Sequence, residues 1–509
     1  MSGEAVEPAG DAASLPAPSP AAPRLRRLGL ADSIEPTADR FPRLSRLLAG
    51  AASLRGSGEL AARCGTVQSV RQNTLIVDGL SKWSNLGDLL RVGDGDEAWF
   101  AQIIAANPDT VVAKPMTTAI RVKVGDEVEL IGPIKLFPSQ GWKGRILDAF
   151  GRPLDGGGPV PAGHHRLDPY GPPPEAMKRE RIVERAITGV HAIDLFVPVC
   201  HGQRIGIFGG SGTGKSSLLS LLANTRGFDT IVIGLIGERG REVREFVEDK
   251  LGQGHRNATV IASTGDEAPS VRMLAANTAM LAAEYFRDRG ERVLLIIDSV
   301  TRFAHAVREV GLAAGEMPVV RGHTTLLYSS LSQLLERAGP SEGGGMITGI
   351  FSVLVDGDDH NEPVADAVRG ILDGHIVLDR AIAATGRFPA INIPMSLSRL
   401  SDVALDREQT ALVRQARRLI ATFEQADEMR RLGGYVEGAD QYVDMALKLV
   451  PQIYDYLTQD VQSLEQAGYD PFARLAAFLA QANSQPPAGA GRPAEARREG
   501  QAVPLQAQG

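Results

Sequence analysis

The chain has 509 residues, 43% hydrophobic and 23% charged, so it can bury full cores and is expected to form two or three domains. A formal net charge of −7 argues against a general nucleic-acid coat. Its two cysteines, Cys64 and Cys200, lack metal-type spacing, which argues against a disulfide framework and indicates a reducing compartment. No apolar run spans a membrane and the N-terminus lacks a signal peptide's apolar centre, so we expect a cytoplasmic protein.

The N-terminal region divides into two segments of different composition. Residues 1–23 are rich in Ala and Pro and predict a disordered leader, because they offer too little apolar surface to offset the entropy of ordering. Residues 24–57 are basic and carry Leu44, Leu47 and Leu48 at helical spacing, which predicts an amphipathic helix. Such a helix either packs on its own domain or docks on a partner or an anionic membrane surface.

Residues 58–133 contain short β-like runs separated by glycine turns, which predict a small β-barrel. The runs lie at 66–70, 74–77, 98–104, 110–113 and 127–130. The segment carries Trp83 and Trp99 among acidic residues, which disfavours RNA binding.

Residues 134–395 follow a different pattern, in which predicted strands and helices alternate after a connector rich in Gly and Pro. The strands are near-continuous apolar runs at 204–208, 231–236, 259–262, 292–297 and 346–354. Runs of this kind are typical of strands buried on both faces, so we predict an α/β core with a mostly parallel sheet. Residues 396–482 predict a helical domain, and residues 483–509 a disordered tail.

A phosphate-loop pattern, G-x-x-x-x-G-K-[ST], lies between a predicted strand and a leucine-rich helix. It reads Gly209, Gly210, Ser211, Gly212, Thr213, Gly214, Lys215 and Ser216, and Ser217 completes the predicted nucleotide-binding set. The glycines allow successive backbone N–H groups and the helix N-terminus to face a polyphosphate. Lys215 would reach the β/γ oxygens of ATP, and the Ser216 hydroxyl would ligate Mg²⁺.

Two carboxylates follow buried strands of the same predicted sheet. Asp298 ends the run 292–297, where a carboxylate either holds the water shell of Mg²⁺ or only caps a helix. The phosphate loop upstream favours the metal role. Glu238 follows the run 231–236, where it could polarise an attacking water, although a surface ion-pair partner fits equally well.

Several motifs in fixed order carry a resemblance to a known family. Besides the phosphate loop, they are GLIGERGREVREF (234–246), LLIIDSVTRFA (294–304), ILDGHIVLDRAIA (371–383) and FPAINIPMSLSR (388–399). Together they resemble the rotary ATPase family, and within it the flagellar and type III protein-export ATPases rather than ATP synthase β subunits. The sequence that follows the Gly-Glu-Arg triplet and the acidic stretch 356–363 both resemble those of the export ATPases. The resemblance covers about residues 58–457.

The resemblance implies an N-terminal β-barrel, a central RecA-like P-loop α/β domain and a C-terminal α-helical domain, assembled as a homohexamer with sites at the subunit interfaces. Lys215 matches the phosphate-binding lysine, Glu238 the water-activating glutamate and Asp298 the metal carboxylate. Arg239 and Arg302 match basic residues that line the phosphate site.

Three further matches concern the subunit interface and the adenine. Arg399 matches the arginine finger that enters the neighbouring subunit's site, where a planar guanidinium stabilises charge on the transferring phosphoryl group. The alternative for Arg399 is an ion pair with Asp402. Phe388 matches the ring that packs on the adenine and Tyr435 contributes to the same pocket; the alternative for both is an ordinary core role.

The implied activity is Mg²⁺-dependent ATP hydrolysis that unloads or unfolds substrates and drives their export through a flagellar apparatus. The implied partners are a stator-like regulatory protein bound through residues 24–57, a central stalk protein, the membrane export gate, and export substrates with their chaperones. Anionic lipid is a second target for residues 24–57. The implied location is the cytoplasm, peripherally at the inner membrane.

Three alternatives to a flagellar exporter stay open. A virulence injectisome ATPase has the same physical requirements. A rotary ATP synthase catalytic subunit would lack the basic N-terminal helix and carry different text after the triplet. A hexameric nucleic-acid motor would need basic pore loops and stacking aromatics in its barrel, and we expect no nucleic-acid partner.

Overall fold

The computed structural model describes residues 24–26, 62–71, 73–93, 95–251, 257–319, 322–355, 362–436, 438–460, 463–464 and 470–483. The chain divides into two units, one of Met1–Asp406 with Leu457–Ala467 and one of Arg407–Tyr456 with Gly468–Gly509. Within the described ranges, no helix combines the length and the apolar character needed to cross a membrane.

An antiparallel barrel forms the N-terminal part of the first unit. Its region contains β1 (Arg24–Arg26), β2 (Ala62–Arg71), β3 (Thr74–Asp78), β4 (Leu89–Val92), β5 (Trp99–Ala106), β6 (Thr110–Pro115) and β7 (Glu127–Gly132). Six strands follow the order β2-β3-β6-β5-β4-β7, and β7 pairs back with β2 to close the ring. Alternate side chains fill the interior, among them Val67, Leu75, Ile103 and Val128. The predicted barrel is confirmed.

Strand β1 lies outside this ring and pairs antiparallel with the start of β2, with Arg24 opposite Cys64. The prediction of a helix over 24–57 is therefore wrong for Arg24–Arg26. The physical reason is that β2 pairs with β3 only from Thr66 onward, so its first residues leave one edge open for an added strand. The rest of the predicted helix, residues 27–57, the leader 1–23 and the tail from residue 484 lie outside the described residues.

Short elements lead from the barrel into the α/β core. They are β8 (Ile146–Leu147), β9 (Arg185–Ala186), α1 (His191–Phe196) and β10 (Val199–Cys200). The core continues with β11 (Arg204–Gly209), α2 (Lys215–Ala223), β12 (Thr230–Glu238), α3 (Gly240–Glu245), β13 (Ala258–Thr264), α4 (Pro269–Arg287), β14 (Arg292–Asp298) and α5 (Val300–Ala313). It ends with α6 (Thr325–Glu336), β15 (Gly339–Pro340), β16 (Met346–Leu354), α7 (Pro363–Ile371), β17 (Gly374–Val377), α8 (Arg380–Ala384), β18 (Leu397–Ser398) and α9 (Ser401–Ala404).

The central sheet has the strand order β18-β17-β11-β16-β14-β12-β13-β8, with β15 paired on β16. All neighbours are parallel except β18 on β17 and β15 on β16. Helix α4 packs on β12, β13 and β14, so these strands are buried on both faces as their apolar text predicts. The parallel strands end at one common edge, called here the carboxyl edge.

The second unit is helical. It contains α10 (Arg407–Arg431), α11 (Gln441–Leu457) and α12 (Pro471–Asn483). Helix α10 packs against α12, and the Tyr454 hydroxyl lies 3.2 Å from a Glu424 carboxylate oxygen. The predicted helical domain is present, but it begins at Arg407 rather than at residue 396, because β18 and α9 belong to the first unit. At its other end Asn483, assigned to the tail, is the last residue of α12.

Candidate nucleotide site

The loop between β11 and α2 owes its shape to glycines with positive φ. Gly212 and Gly214 have φ values of 81° and 80°, a left-handed backbone that L side chains rarely adopt. The buried Thr213 hydroxyl donates to the carbonyl oxygen of Gly210 at 3.0 Å, which fixes the bend. Helix α2 begins at Lys215, so its N-terminus offers backbone donors and the positive end of the helix dipole to an anion.

One aromatic ring packs directly on this loop. A Cβ on Gly214 would lie 2.8 Å from two ring carbons of Phe388, so only glycine permits the contact. The Phe388 carbonyl oxygen accepts a hydrogen bond from the Gln459 backbone N–H at 2.8 Å, which anchors the segment. The structure therefore places Phe388 beside the phosphate loop, and its packing on an adenine stays a prediction.

Asp298 lies at the carboxyl edge as the last residue of β14 and is 7% exposed. The Ser352 hydroxyl on β16 donates to its Oδ1 atom at 2.7 Å. Ser352 is also the register partner of Ile207 on β11, the strand that leads into the phosphate loop. Sequence reasoning missed Ser352, for which the available signal was a polar residue inside the apolar run 346–354.

Glu238 ends β12 at the same edge, and Arg302 on α5 holds it in place. The Arg302 guanidinium donates to the Gly237 carbonyl oxygen at 2.6 Å and to Glu238 Oε2 at 3.2 Å, and its Nε lies 3.1 Å from Oε1. Arg302, predicted to line the phosphate site, is thus found bonded to the candidate catalytic carboxylate.

Burial raises the pKa of the Glu238 carboxyl to about 7, and the negative charge of Asp298 and a hydrogen bond with the Glu242 carboxyl add to the shift. The positive charge of Arg302 opposes it. The same hydrogen bond lowers the pKa of the less buried Glu242. Glu238 therefore changes protonation near neutral pH, as a general base requires. Sequence reasoning also missed Glu242, which lies on α3, four residues after Glu238.

Arg239, the next residue, points into solvent. Its side chain is 78% exposed and lies 3.8 Å from Glu242 Oε1, a distance that indicates a weak ion pair. The structure therefore does not bring Arg239 into contact with the phosphate loop, and its catalytic role stays a prediction.

Arg399 lies at the opposite edge of the sheet. Strand β18 places Ser398 beside Gly374, and the exposed Arg399 donates its backbone N–H to the Asp373 carbonyl oxygen at 2.9 Å. Asp373 lies beside Arg204, the first residue of β11, whereas the phosphate loop follows the last one. From the first to the last of the six residues of β11 this separation is about 17 Å. Among the described residues, Arg399 forms no ion pair with Asp402.

Tyr435 belongs to the second unit. Its hydroxyl hydrogen-bonds to Asp444 Oδ1 at 2.7 Å and lies 3.1 Å from the Asp440 carbonyl oxygen. These contacts give the side chain a role within its own unit. Its contribution to an adenine pocket stays a prediction.

The oxygen groups at the carboxyl edge suit Mg²⁺. The Ser216 hydroxyl is exposed at the start of α2, and Asp298 supplies a carboxylate. In the part of the chain that the structure describes, no group of three or more His, Cys, Asp or Glu residues could hold a metal. Magnesium is usually held by one or two protein oxygens together with substrate phosphates, and these two residues fit that arrangement.

A glycine loop between a parallel strand and a helix, with carboxylates ending neighbouring strands at the same edge, defines a P-loop ATPase. Comparison with known families gives two matches. Residues 189–398 match the nucleotide-binding domain of the ATP synthase alpha/beta family. Residues 405–468 match the C-terminal domain of the type III secretion system (T3SS) ATPase EscN.

Comparison with individual proteins identifies the family within the P-loop ATPases. A flagellum-specific ATP synthase of Rhizobium meliloti (strain 1021) is 46% identical over 429 residues, which cover 84% of this chain and 91% of the relative. The assembled ATPase EscN of the enteropathogenic E. coli type III secretion system has a TM-score of 0.76 at 36% identity, covering 82% of this chain and 99% of EscN. EscN in complex with its central stalk EscO has a TM-score of 0.74 at 36% identity, with the same coverage. The chain belongs to the flagellum-specific ATP synthase family, so the predicted resemblance is confirmed and the protein is a nucleotide-binding ATPase.

Proposed function

We propose that this chain is the ATP-hydrolysing subunit of a flagellar-type protein-export apparatus, in which hydrolysis unloads and unfolds export substrates. Identity is 46% to a flagellum-specific relative and 36% to EscN, which favours a flagellar over an injectisome system. The observation that carries the proposal is Glu238, clamped by Arg302 at the edge shared by the phosphate loop and Asp298.

In the proposed mechanism the phosphate loop binds the polyphosphate through its backbone donors, and Lys215 contacts the β/γ oxygens. Ionised Glu238 accepts a proton from the attacking water, and Arg302 keeps its carboxylate oriented. Ser216 and Asp298 would hold Mg²⁺, which supplies positive charge at the phosphate oxygens.

The position of Arg399 supports an assembled enzyme. Its backbone lies about 17 Å from the phosphate loop of its own chain, because the length of β11 separates them. One arginine side chain cannot cover that distance along the sheet. We therefore assign Arg399 to the site of a neighbouring subunit, where it stabilises charge in the transition state.

The proposed assembly is a homohexamer, by analogy with EscN, whose structure is described as assembled and, in a second structure, in complex with its central stalk. We extend to this chain a central stalk partner and a peripheral location at the cytoplasmic face of the inner membrane. The export gate, substrates with their chaperones, and a stator-like regulator or anionic lipid bound by residues 24–57 complete the proposed partners.

The substitution Glu238→Gln tests the proposed chemistry. Glutamine keeps the size of the side chain but cannot accept the proton, so we expect retained ATP binding and a turnover at least about a hundredfold lower. ATP binding is measured by calorimetry and hydrolysis by phosphate release. Lys215→Ala serves as the comparison, because it should abolish hydrolysis without removing core packing. Loss of ATP binding in Glu238→Gln, or near-normal turnover in either variant, would contradict the proposal.

A further inference from the structure

The side chain of Gln203 joins three segments at the edge of the central sheet where the parallel strands begin, opposite the carboxyl edge and the phosphate loop. Gln203 is fully buried. Its Oε1 atom accepts the Cys200 backbone N–H at 2.9 Å, while its Nε2 atom donates to Ser398 Oγ at 3.0 Å and lies 3.3 Å from the Asp373 carbonyl oxygen. The amide of Gln203, just before β11, therefore connects to Ser398, which precedes Arg399 in the chain, and to Asp373, whose carbonyl oxygen lies next to it.

The carbonyl oxygen of Asp373 is shared by Gln203 and Arg399. The Arg399 backbone N–H donates to it at 2.9 Å. The Asp373 carboxylate is fixed by Arg204, whose backbone N–H and Nε donate to Oδ2 at 3.0 and 3.1 Å. Since the Arg399 side chain is exposed, its position depends on this backbone anchor.

Close packing leaves the segment that carries Arg399 little freedom. A Cβ on Gly374 would lie 2.6 Å from the Leu397 carbonyl oxygen and 3.1 Å from the Ser398 Cα, so β18 lies against β17 as closely as glycine allows. The Ser401 hydroxyl donates to the Ser398 carbonyl oxygen at 2.8 Å and fixes the far side of the same turn. A change at Gln203 is therefore transmitted to Arg399 rather than absorbed by a flexible loop.

We infer that Gln203 is a positioning residue for Arg399 and, through it, for the nucleotide site of the neighbouring subunit. This inference rests on the proposed function, in which Arg399 acts across the interface. The position of Gln203 in the sequence would instead suggest that it supports its own phosphate loop, because it immediately precedes the strand that leads into that loop. The hydrogen bonds instead couple it to the residues around Arg399.

The substitution Gln203→Leu removes the amide at similar size. We expect kcat to fall by about 10- to 100-fold with little change in KM for ATP, because a misplaced guanidinium affects the transition state and not substrate binding. A raised KM with unchanged kcat would overturn the inference.

Mixed rings decide which site Gln203 serves. Gln203→Leu subunits mixed with an equal amount of Lys215→Ala subunits should regain activity, since about one interface in four pairs an intact phosphate loop with a well-placed Arg399. Gln203→Leu mixed with Arg399→Ala should regain none, because both subunits then present a defective Arg399. The reverse pattern would mean that Gln203 supports its own phosphate loop, and the inference would be wrong.

A third mixture separates this inference from the proposed function. Lys215→Ala with Arg399→Ala must recover activity if Arg399 acts across the interface at all; no recovery there overturns the proposed function and, with it, this inference. If Gln203→Leu does not fold, Ser398→Ala takes its place in both mixtures, since it removes only the hydroxyl that Gln203 contacts. Recovery of Ser398→Ala with Lys215→Ala but not with Arg399→Ala is then the expected pattern, and the reverse pattern would overturn the inference.

Discussion

The ionisation of Glu238 connects the candidate site to the stability of the fold. Burial raises its pKa from 4.5 to about 7, so near pH 6 the folded chain keeps a proton that the unfolded chain has released. A raised pKa contributes stability that is complete below the unfolded value of 4.5 and is lost as the pH rises through about 7. Between about pH 4.5 and 7 this carboxyl should therefore weaken the fold progressively, with no further loss at higher pH.

Glu238→Gln should remove this pH dependence, because the amide does not ionise. We expect the Tm of the variant, relative to the unchanged protein, to rise between about pH 5 and pH 8 in the absence of nucleotide. Scanning calorimetry at several pH values measures the difference. Glu245→Gln, at an exposed position of α3, is the matched control for the loss of one carboxylate. A difference for Glu238→Gln that stays constant with pH would show that its pKa is not raised.

For individual residues, the sequence predicted the main candidate site residues but not the side chains that hydrogen-bond to them. Lys215 was predictable because the phosphate loop is one continuous segment, and Asp298 because it ends an apolar run. Ser352 and Glu242 were not predicted, and neither was the bond from Arg302 to Glu238, because strand order and helix placement bring these groups together. No spacing in the sequence encodes such contacts.

Among the secondary-structure elements, those with a strong local pattern were predicted and those defined by their neighbours were not. Strands β12, β14 and β16 follow long apolar runs, and β3 is a β-branched, apolar run. Strand β4, only four residues long, was missed because it is too short to show a period, and it exists by pairing with β5 and β7. The strand Arg24–Arg26 likewise depends on the open edge of β2.

Pairing within the barrel predicts the effect of removing residues 1–55. The ring is closed by β7 on β2 without β1, so we expect the truncated chain to keep its fold and most of its ATPase activity. If residues 24–57 recruit a regulator, the same deletion should reduce cellular export and capture of that partner. Deletion of residues 1–23 alone keeps β1 and should change neither. Unfolding or loss of nucleotide binding in the longer deletion would mean that the segment packs into the barrel instead.

For the whole molecule, the central sheet places two candidate functional groups of one chain, the phosphate loop and Arg399, at opposite edges. The phosphate loop follows the last residue of β11, whereas Arg399 is anchored beside the first. A single chain therefore cannot combine both in one site. In a ring, each subunit can offer its phosphate-loop edge to one neighbour and its Arg399 edge to the other, so both groups meet at every interface. Head-to-tail contacts of this kind close into rings.

Specific ATPase activity should consequently depend on protein concentration. If Arg399 acts across the interface as proposed, dilution removes it from each site, so activity per chain should fall as rings dissociate. Sedimentation over the same range should show the loss of assembly. Arg399→Ala should be roughly a thousandfold slower at every concentration, because its rings lack the guanidinium even when assembled. Arg380→Ala, a second exposed arginine on α8, should retain both normal activity and the concentration dependence. If specific activity in the unchanged protein stayed level while sedimentation recorded dissociation, each chain would hold a complete site and Arg399 would act within its own subunit or not at all.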